Sequence, residues 1–155
     1  MLIHTRVSGH VDAPIEQAWM ASRDFQVLPA WHVGVVAVKD VAGAFDQVGS
    51  TATLVIKTPL GLRDFHAEVT EVKPLELVTH VGREVDGPFQ YTSRIRYTPA
   101  GRGYDYVWEQ DNEFGSGLPL PFGDEAFATR LMEHMLRQSC ENMQLLLEAM
   151  VPQPA

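Results

Sequence analysis

Alternation of apolar and polar residues with a period of two recurs along most of the chain and constrains its fold more than any other feature. Such alternation is typical of β-strands that bury one face and expose the other. Residues that favour turns, chiefly Gly, Pro and Asp, separate the alternating segments at short intervals, which indicates consecutive antiparallel strands. The predicted strands are Leu2–Asp12, Val33–Val41, Ser50–Thr58, Leu62–Lys73, Leu77–Arg83, Phe89–Tyr97 and Tyr104–Glu113.

Helical spacing replaces this alternation in two regions. After the first strand, Pro14–Ser22 predicts a short helix, and Asp24–Ala30 predicts a further turn or two. The longest helical stretch begins after Asp124 and ends before Pro152, and its apolar residues occupy one broad face. Because the sheet is the one large apolar surface that the rest of the chain offers, we expect this face to pack against it.

These elements predict an α+β fold built on one antiparallel sheet of six or seven strands. The chain has 155 residues, which is the length of one ordinary domain. We expect residues 1–151 to form that domain and residues 152–155 to form a C-terminal tail.

The composition narrows the class of partner. The formal net charge is −8, whereas nucleic-acid binding depends on clustered Lys and Arg that neutralise phosphates, so no nucleic-acid partner is expected.

Cys140 is the single cysteine, so an internal disulfide is impossible and a reducing compartment is favoured. No apolar run is long enough to cross a bilayer, so stable membrane insertion is not expected. We predict a cytoplasmic protein, either a monomer or a homodimer.

Three stretches of the chain resemble a known superfamily: Val11–Trp19 with Asp24-Phe25 and Leu28–Trp31, Val48–Ser50 with Glu68–Leu77, and Tyr97–Gly101 with Tyr106 and Trp108. The chain is similar to the START-related helix-grip superfamily, also called SRPBCC, and within it to the polyketide cyclase/dehydrase-like group. The resemblance implies a curved sheet that grips the long C-terminal helix, with a ligand pocket between them. Fold alone does not determine function in a superfamily that includes lipid-transfer proteins, aromatic polyketide cyclases and quinone chaperones.

The aromatic face of the predicted sheet would form the pocket wall, since apolar walls with a few polar groups are typical of ligand sites. Gln110 and Asn112 share that face and would suit a ligand carbonyl or hydroxyl. The polar Gln138 and Asn142 lie within the apolar arc of the helix, where they need either a ligand or a hydrogen-bond partner in the protein or in water. Each wall residue has an alternative role as core that packs without a void. The predicted ligand-binding residues are Trp19, Trp31, Leu54, Ile56, Phe65, Phe89, Tyr91, Tyr106, Trp108, Gln110, Phe127, Leu131, Met135, Gln138 and Asn142.

Tyr91, His80 and His32 are the candidates for proton transfer, because a histidine near pH 7 suits general base catalysis. Each of the two histidines has the alternative of a structural or surface role, and the facing of His80 is undecided. None of the six histidines pairs at a metal-ligand spacing, so we predict no metal and no cofactor.

Two functions remain open at this point. The first is binding of a hydrophobic small molecule, lipid-like or aromatic and polyketide-type, in an internal cavity between the sheet and the C-terminal helix. The second is a cofactor-independent cyclase, aromatase or dehydratase that acts on a poly-ketone by general acid–base catalysis. A chaperone that delivers a quinone is a weaker third possibility. Binding is preferred, because catalysis demands a residue set that the sequence does not display.

Overall fold

The computed structural model describes residues 1–150, so the predicted tail at 152–155 lies outside the described residues. Seven strands form one antiparallel sheet in the order β1-β7-β6-β5-β4-β3-β2. The strands are β1 Leu2–Val11, β2 Val35–Ala42, β3 Thr51–Thr58, β4 Gly61–Lys73, β5 Leu77–Glu84, β6 Gln90–Ala100 and β7 Gly103–Glu113. The helices are α1 Ile15–Ser22, α2 Leu28–Trp31 and α3 Glu125–Met150, with a 3-10 turn at Phe25–Val27 before α2.

This architecture confirms the predicted α+β helix-grip fold, a curved antiparallel sheet with two short helices after the first strand and a long C-terminal helix. The pairing of β4 with β5 shifts between Val69 and Glu71, and the pairing of β2 with β3 shifts in two places. Such irregularities bend strands and increase their twist, which helps a sheet to curve around a helix.

The long helix α3 is fixed at its start and buried mainly along one side. The Asp124 carboxylate caps the helix by accepting a hydrogen bond of 2.8 Å from the Phe127 backbone N–H. Farther along, Leu136, Ser139 and Leu147 are fully buried. Within residues 1–150 no helix is long and apolar enough to cross a membrane.

Candidate functional site: a cavity between the sheet and α3

A cavity of about 330 Å³ lies between the concave face of the sheet and the first half of α3. Its wall comes from α2 and the segment after it, from β2 to β7, from α3 and from the loop between β7 and α3. Most of these side chains are apolar, and the volume falls at the lower end of the usual range for ligand pockets, about 300–1,000 Å³. Members of the wall include Leu54, Ile56, Phe65, Phe89, Tyr91, Gln110, Leu131 and Met135 among the predicted ligand residues, together with His32 and His80.

The helix α3 is buried more completely at Leu136 and beyond than along most of the cavity. Leu136 and Leu147 are fully buried, whereas Leu131, Met132 and Met135, nearer the start of the helix, keep partial exposure and line the cavity. Flexible methionines adapt their shape, which suits a wall that must accommodate a ligand.

Polar side chains cross the concave face in two neighbouring rows that the strand register creates. In one row His80 on β5 lies opposite Ser93 on β6, and Ser93 lies opposite Gln110 on β7. In the next row Tyr91 on β6 lies opposite Asn112 on β7. All five are buried, and all except Ser93 line the cavity. The period of two predicted this shared facing for β6 and β7.

His32 is held in place from two sides at the end of α2. Its Nδ1 lies 2.9 Å from the Val33 carbonyl oxygen, and the Val33 backbone N–H donates to the Ser139 hydroxyl at 2.9 Å. The imidazole packs against the rings of Trp31 and Trp108, with centroids 5.5 and 5.3 Å away. Burial by these rings lowers the pKa of His32 to about 4, from an ordinary value of 6.5.

His80 lies between two aromatic rings on the cavity wall. The centroids of Phe45 and Tyr91 are 5.0 and 5.3 Å from its own, both edge to face. Burial, followed by the nearby charge that His32 would carry, lowers the pKa of His80 to about 3. Burial also raises the pKa of Tyr91 far above its ordinary value. Near neutral pH these three groups are therefore all uncharged.

The Tyr91 ring occupies its position because the facing strand carries no side chain there. Tyr91 pairs with Gly82 of β5, and a Cβ at Gly82 would overlap the Tyr91 ring and hydroxyl. A glycine in a strand interior is unfavourable by itself, so its presence is explained by this close approach. Gly82 is a residue that supports the site and that the sequence reading did not single out.

Three predicted ligand residues, Trp31, Tyr106 and Trp108, lie behind the cavity wall and line a second cavity of about 40 Å³. The rings of Trp31 and Trp108 are 6.0 Å apart, and both contact His32, which lines the first cavity. The indole N–H of Trp108 donates to the Ser93 hydroxyl at 2.8 Å. These two rings therefore line the second cavity and also contact a residue of the first, His32.

The remaining predicted ligand residues have partners in the protein rather than a place on the wall. Trp19 packs edge to face on Tyr97, and its indole N–H donates to Asp46 at 3.3 Å. Phe127 packs on the ring of Phe122. Gln138 donates to Asn142, which in turn donates to the Trp31 carbonyl. Gln138 and Asn142 therefore follow the alternative to ligand contact, which is hydrogen bonding to other groups of the protein.

Several residues of the cavity wall are not among the predicted ligand-binding residues. Leu118 and Phe122 come from the loop between β7 and α3, which is rich in Gly and Pro. Their apolar side chains inside such a loop were the available signal. In the part of the chain that the structure describes, no group of three or more His, Cys, Asp or Glu is arranged to hold a metal ion.

Comparisons with known proteins identify what this architecture is similar to. Residues 3–148 match a family model described as polyketide cyclase / dehydrase and lipid transport. No curated protein matches the chain in sequence.

Several solved structures share the fold at low sequence identity. A conserved protein from Geobacillus kaustophilus has a TM-score of 0.77 at 14% identity, covering 95% of this chain and 96% of its own. A START superfamily protein from Mycobacterium smegmatis has a TM-score of 0.70 at 16% identity, covering 97% and 99%. The di-domain ARO/CYC StfQ from the steffimycin biosynthetic pathway has a TM-score of 0.71 at 10% identity, covering 96% of this chain and 51% of StfQ.

Proposed function

Because the chain belongs to the polyketide cyclase / dehydrase and lipid transport family, we propose that it binds a hydrophobic small molecule in the cavity between its sheet and α3. The ligand is lipid-like, or aromatic and polyketide-type. The single observation that carries the proposal is the apolar cavity of about 330 Å³, whose buried polar groups are few and gathered on the sheet side.

The apolar wall favours a ligand whose body is largely hydrocarbon, since burying such surface contributes about 25 cal/mol per Å². Uncharged His32, His80 and Tyr91 add hydrogen-bonding groups without the cost of burying an ion. The charged lining residues, Lys57 and Glu113, are exposed. A neutral, mostly apolar ligand matches this arrangement best.

Native mass spectrometry of freshly purified protein tests the proposal, together with saturable binding of a hydrophobic fluorescent dye. The variant Leu131→Trp fills the cavity from α3, and we expect it to lose at least about tenfold in dye affinity. Leu145→Trp is the matched control, because Leu145 is 66% exposed on the same helix. A clean apo mass with no saturable dye binding, or equal binding by both variants and the parent, contradicts the proposal.

A second candidate function is a cofactor-independent cyclase or dehydratase that acts on a poly-ketone. The observation that favours it is the contact of His80 with Tyr91 inside the cavity, with His32 on the same wall. A histidine would take a proton from the carbon between two carbonyls, and Tyr91 would donate a hydrogen bond to the carbonyl oxygen. The low pKa values of both histidines make them weak bases, which is why binding is preferred.

Incubation with a poly-β-ketone and chromatography of the products tests this second function. Tyr91→Phe should shift the product pattern towards the uncatalysed mixture, whereas Tyr104→Phe, which lies on the second cavity, should not. A product pattern identical with and without the protein rules out catalysis and leaves the binding proposal intact.

A further inference from the structure

The hydrogen bond to Val33 determines which nitrogen of His32 carries the proton. A backbone carbonyl only accepts, so the Nδ1 that lies 2.9 Å from the Val33 oxygen must be the N–H of the neutral ring. The lone pair is then on Nε2, and His32 lines the cavity. His32 therefore offers the cavity a hydrogen-bond acceptor.

His80 has the opposite arrangement. Its Nδ1 is enclosed and has no hydrogen-bond partner among residues 1–150, which leaves Nε2 as the ring nitrogen that the cavity can reach. Buried N–H groups without a partner are rarer than buried acceptors without one, so the proton of the neutral ring belongs on Nε2. His80 therefore offers the cavity a hydrogen-bond donor.

The amide side chains beside these rings add further neutral groups. Gln110 donates to the Asn112 side-chain oxygen at 3.0 Å, and the buried Asn112 Nδ2 has no partner in the described part of the chain. An unpartnered buried amide N–H costs free energy until an acceptor reaches it. No buried Lys, Arg, Asp or Glu belongs to the described cavity wall, so an ion inside would lack a counter-charge.

We propose, on the basis of the proposed function, that this cavity selects a neutral ligand bearing both a hydroxyl group and a carbonyl group. The hydroxyl donates to Nε2 of His32, and the carbonyl oxygen accepts from Nε2 of His80. A site built around a substrate hydroxyl discriminates strongly against an analogue that lacks it, because the protein partner is left unpaired. A carboxylate is disfavoured because it would be buried without a cation.

Titration with matched probes tests this selectivity. The probes are a hydroxynaphthyl methyl ketone, its methyl ether and the corresponding hydroxynaphthoic acid, followed by ligand fluorescence. The unmodified protein should bind the hydroxy ketone at least about tenfold more tightly than either analogue. His32→Phe should bind the hydroxy ketone and its ether equally, because the acceptor is gone. The control His134→Phe, on an exposed position of α3, should retain the discrimination.

A probe without the carbonyl group tests the hydrogen bond that His80 is proposed to donate. His80→Phe should remove the preference for the hydroxy ketone over the matching ethyl naphthol, which lacks the carbonyl, while keeping the preference over the ether. Nitrogen-15 spectra of the imidazoles at neutral pH provide an independent readout: His32 should carry its proton on Nδ1 and His80 on Nε2.

The outcomes separate this inference from the proposed function. Saturable binding of all three probes without discrimination, or the reverse protonation of the two rings, overturns the inference and leaves ligand binding intact. No binding of any probe or dye overturns both.

Discussion

The backbone N–H of Val33 donates a hydrogen bond of 2.9 Å to the hydroxyl of Ser139, at the middle of α3. The same hydroxyl donates to the Met135 carbonyl at 2.8 Å, so Ser139 uses both capacities of its oxygen. This junction joins the segment that carries His32 to the helix that closes the cavity.

Replacing Ser139 with Ala should leave the Val33 N–H without an acceptor. A fully buried donor without a partner costs about 1–3 kcal/mol, and this hydrogen bond is partly buried, so we expect the free energy of unfolding to fall by about 1 kcal/mol. Urea denaturation measures it, with Ser116→Ala in the exposed loop as the control. Equal stability of the Ser139→Ala variant and the parent would show that the junction is dispensable.

Acid should destabilise the fold through His80 and His32. Their folded pKa values, about 3 and about 4, lie below the unfolded value of 6.5, so the unfolded chain binds protons that the native state does not. Their contribution to stability is complete above pH 6.5 and falls as the pH decreases from there towards the folded pKa. For each histidine the slope is about 1.4 kcal/mol per pH unit.

Denaturation curves at several pH values between 6.5 and 4.5 measure this effect. His80→Phe should reduce the slope of stability against pH by about 1.4 kcal/mol per unit relative to the parent. His66→Phe is the control, because His66 is exposed on the opposite face of the sheet. Identical slopes in the parent and His80→Phe would mean that His80 is not buried in its neutral form.

His10 should behave in the opposite direction. Its two ring nitrogens lie 2.8 Å from Asp105 and 2.9 Å from Asp12, and these hydrogen bonds raise its pKa. A raised pKa means that its contribution to stability is present below pH 6.5 and is lost as the pH rises through the folded value. Proton NMR titration should show Asp105→Asn lowering the pKa of His10, and Asp111→Asn, whose partner is His4, leaving it unchanged.

The ring of Trp31 should limit ligand size. Trp31 lines the second cavity, of about 40 Å³, and packs on His32, which lines the cavity of about 330 Å³. Its indole N–H is buried without a partner among the described residues, so the Trp31→Phe substitution removes no hydrogen bond. The smaller ring should join the two spaces and admit a ligand with one more fused ring. Native mass spectrometry with a graded series of aromatic ligands measures the limit, and Trp19→Phe is the control. An unchanged limit would place the barrier elsewhere.

Local patterns in the sequence were sufficient for the elements and for the facing of most strands. The alternation in Phe89–Tyr97 and Tyr104–Glu113 placed Tyr91, Gln110 and Trp108 on the inner face, where the structure has them. The prediction is correct because a strand with one buried and one exposed face has apolar residues on the first and polar residues on the second.

The same alternation does not indicate which face of β5 carries His80. Leu77–His80 is a run of four buried residues, so no polar face marks which side of β5 is inward. Only the pairing of His80 with Ser93, on a strand whose facing is clear, decides it.

The sequence by itself determined the order of the elements, the curved-sheet fold and the apolar character of its inner face. Only the tertiary structure decided which inward residues line the main cavity, as Tyr91 and Met135 do, and which line the much smaller second cavity, as Trp108 and Tyr106 do. The physical reason is that the alternation of apolar and polar residues along a strand indicates which side chains are buried. A cavity, in contrast, forms where segments distant in sequence leave space between them. Here that position depends on how α3 docks on the sheet, through contacts such as Val33 with Ser139 that are distant in sequence.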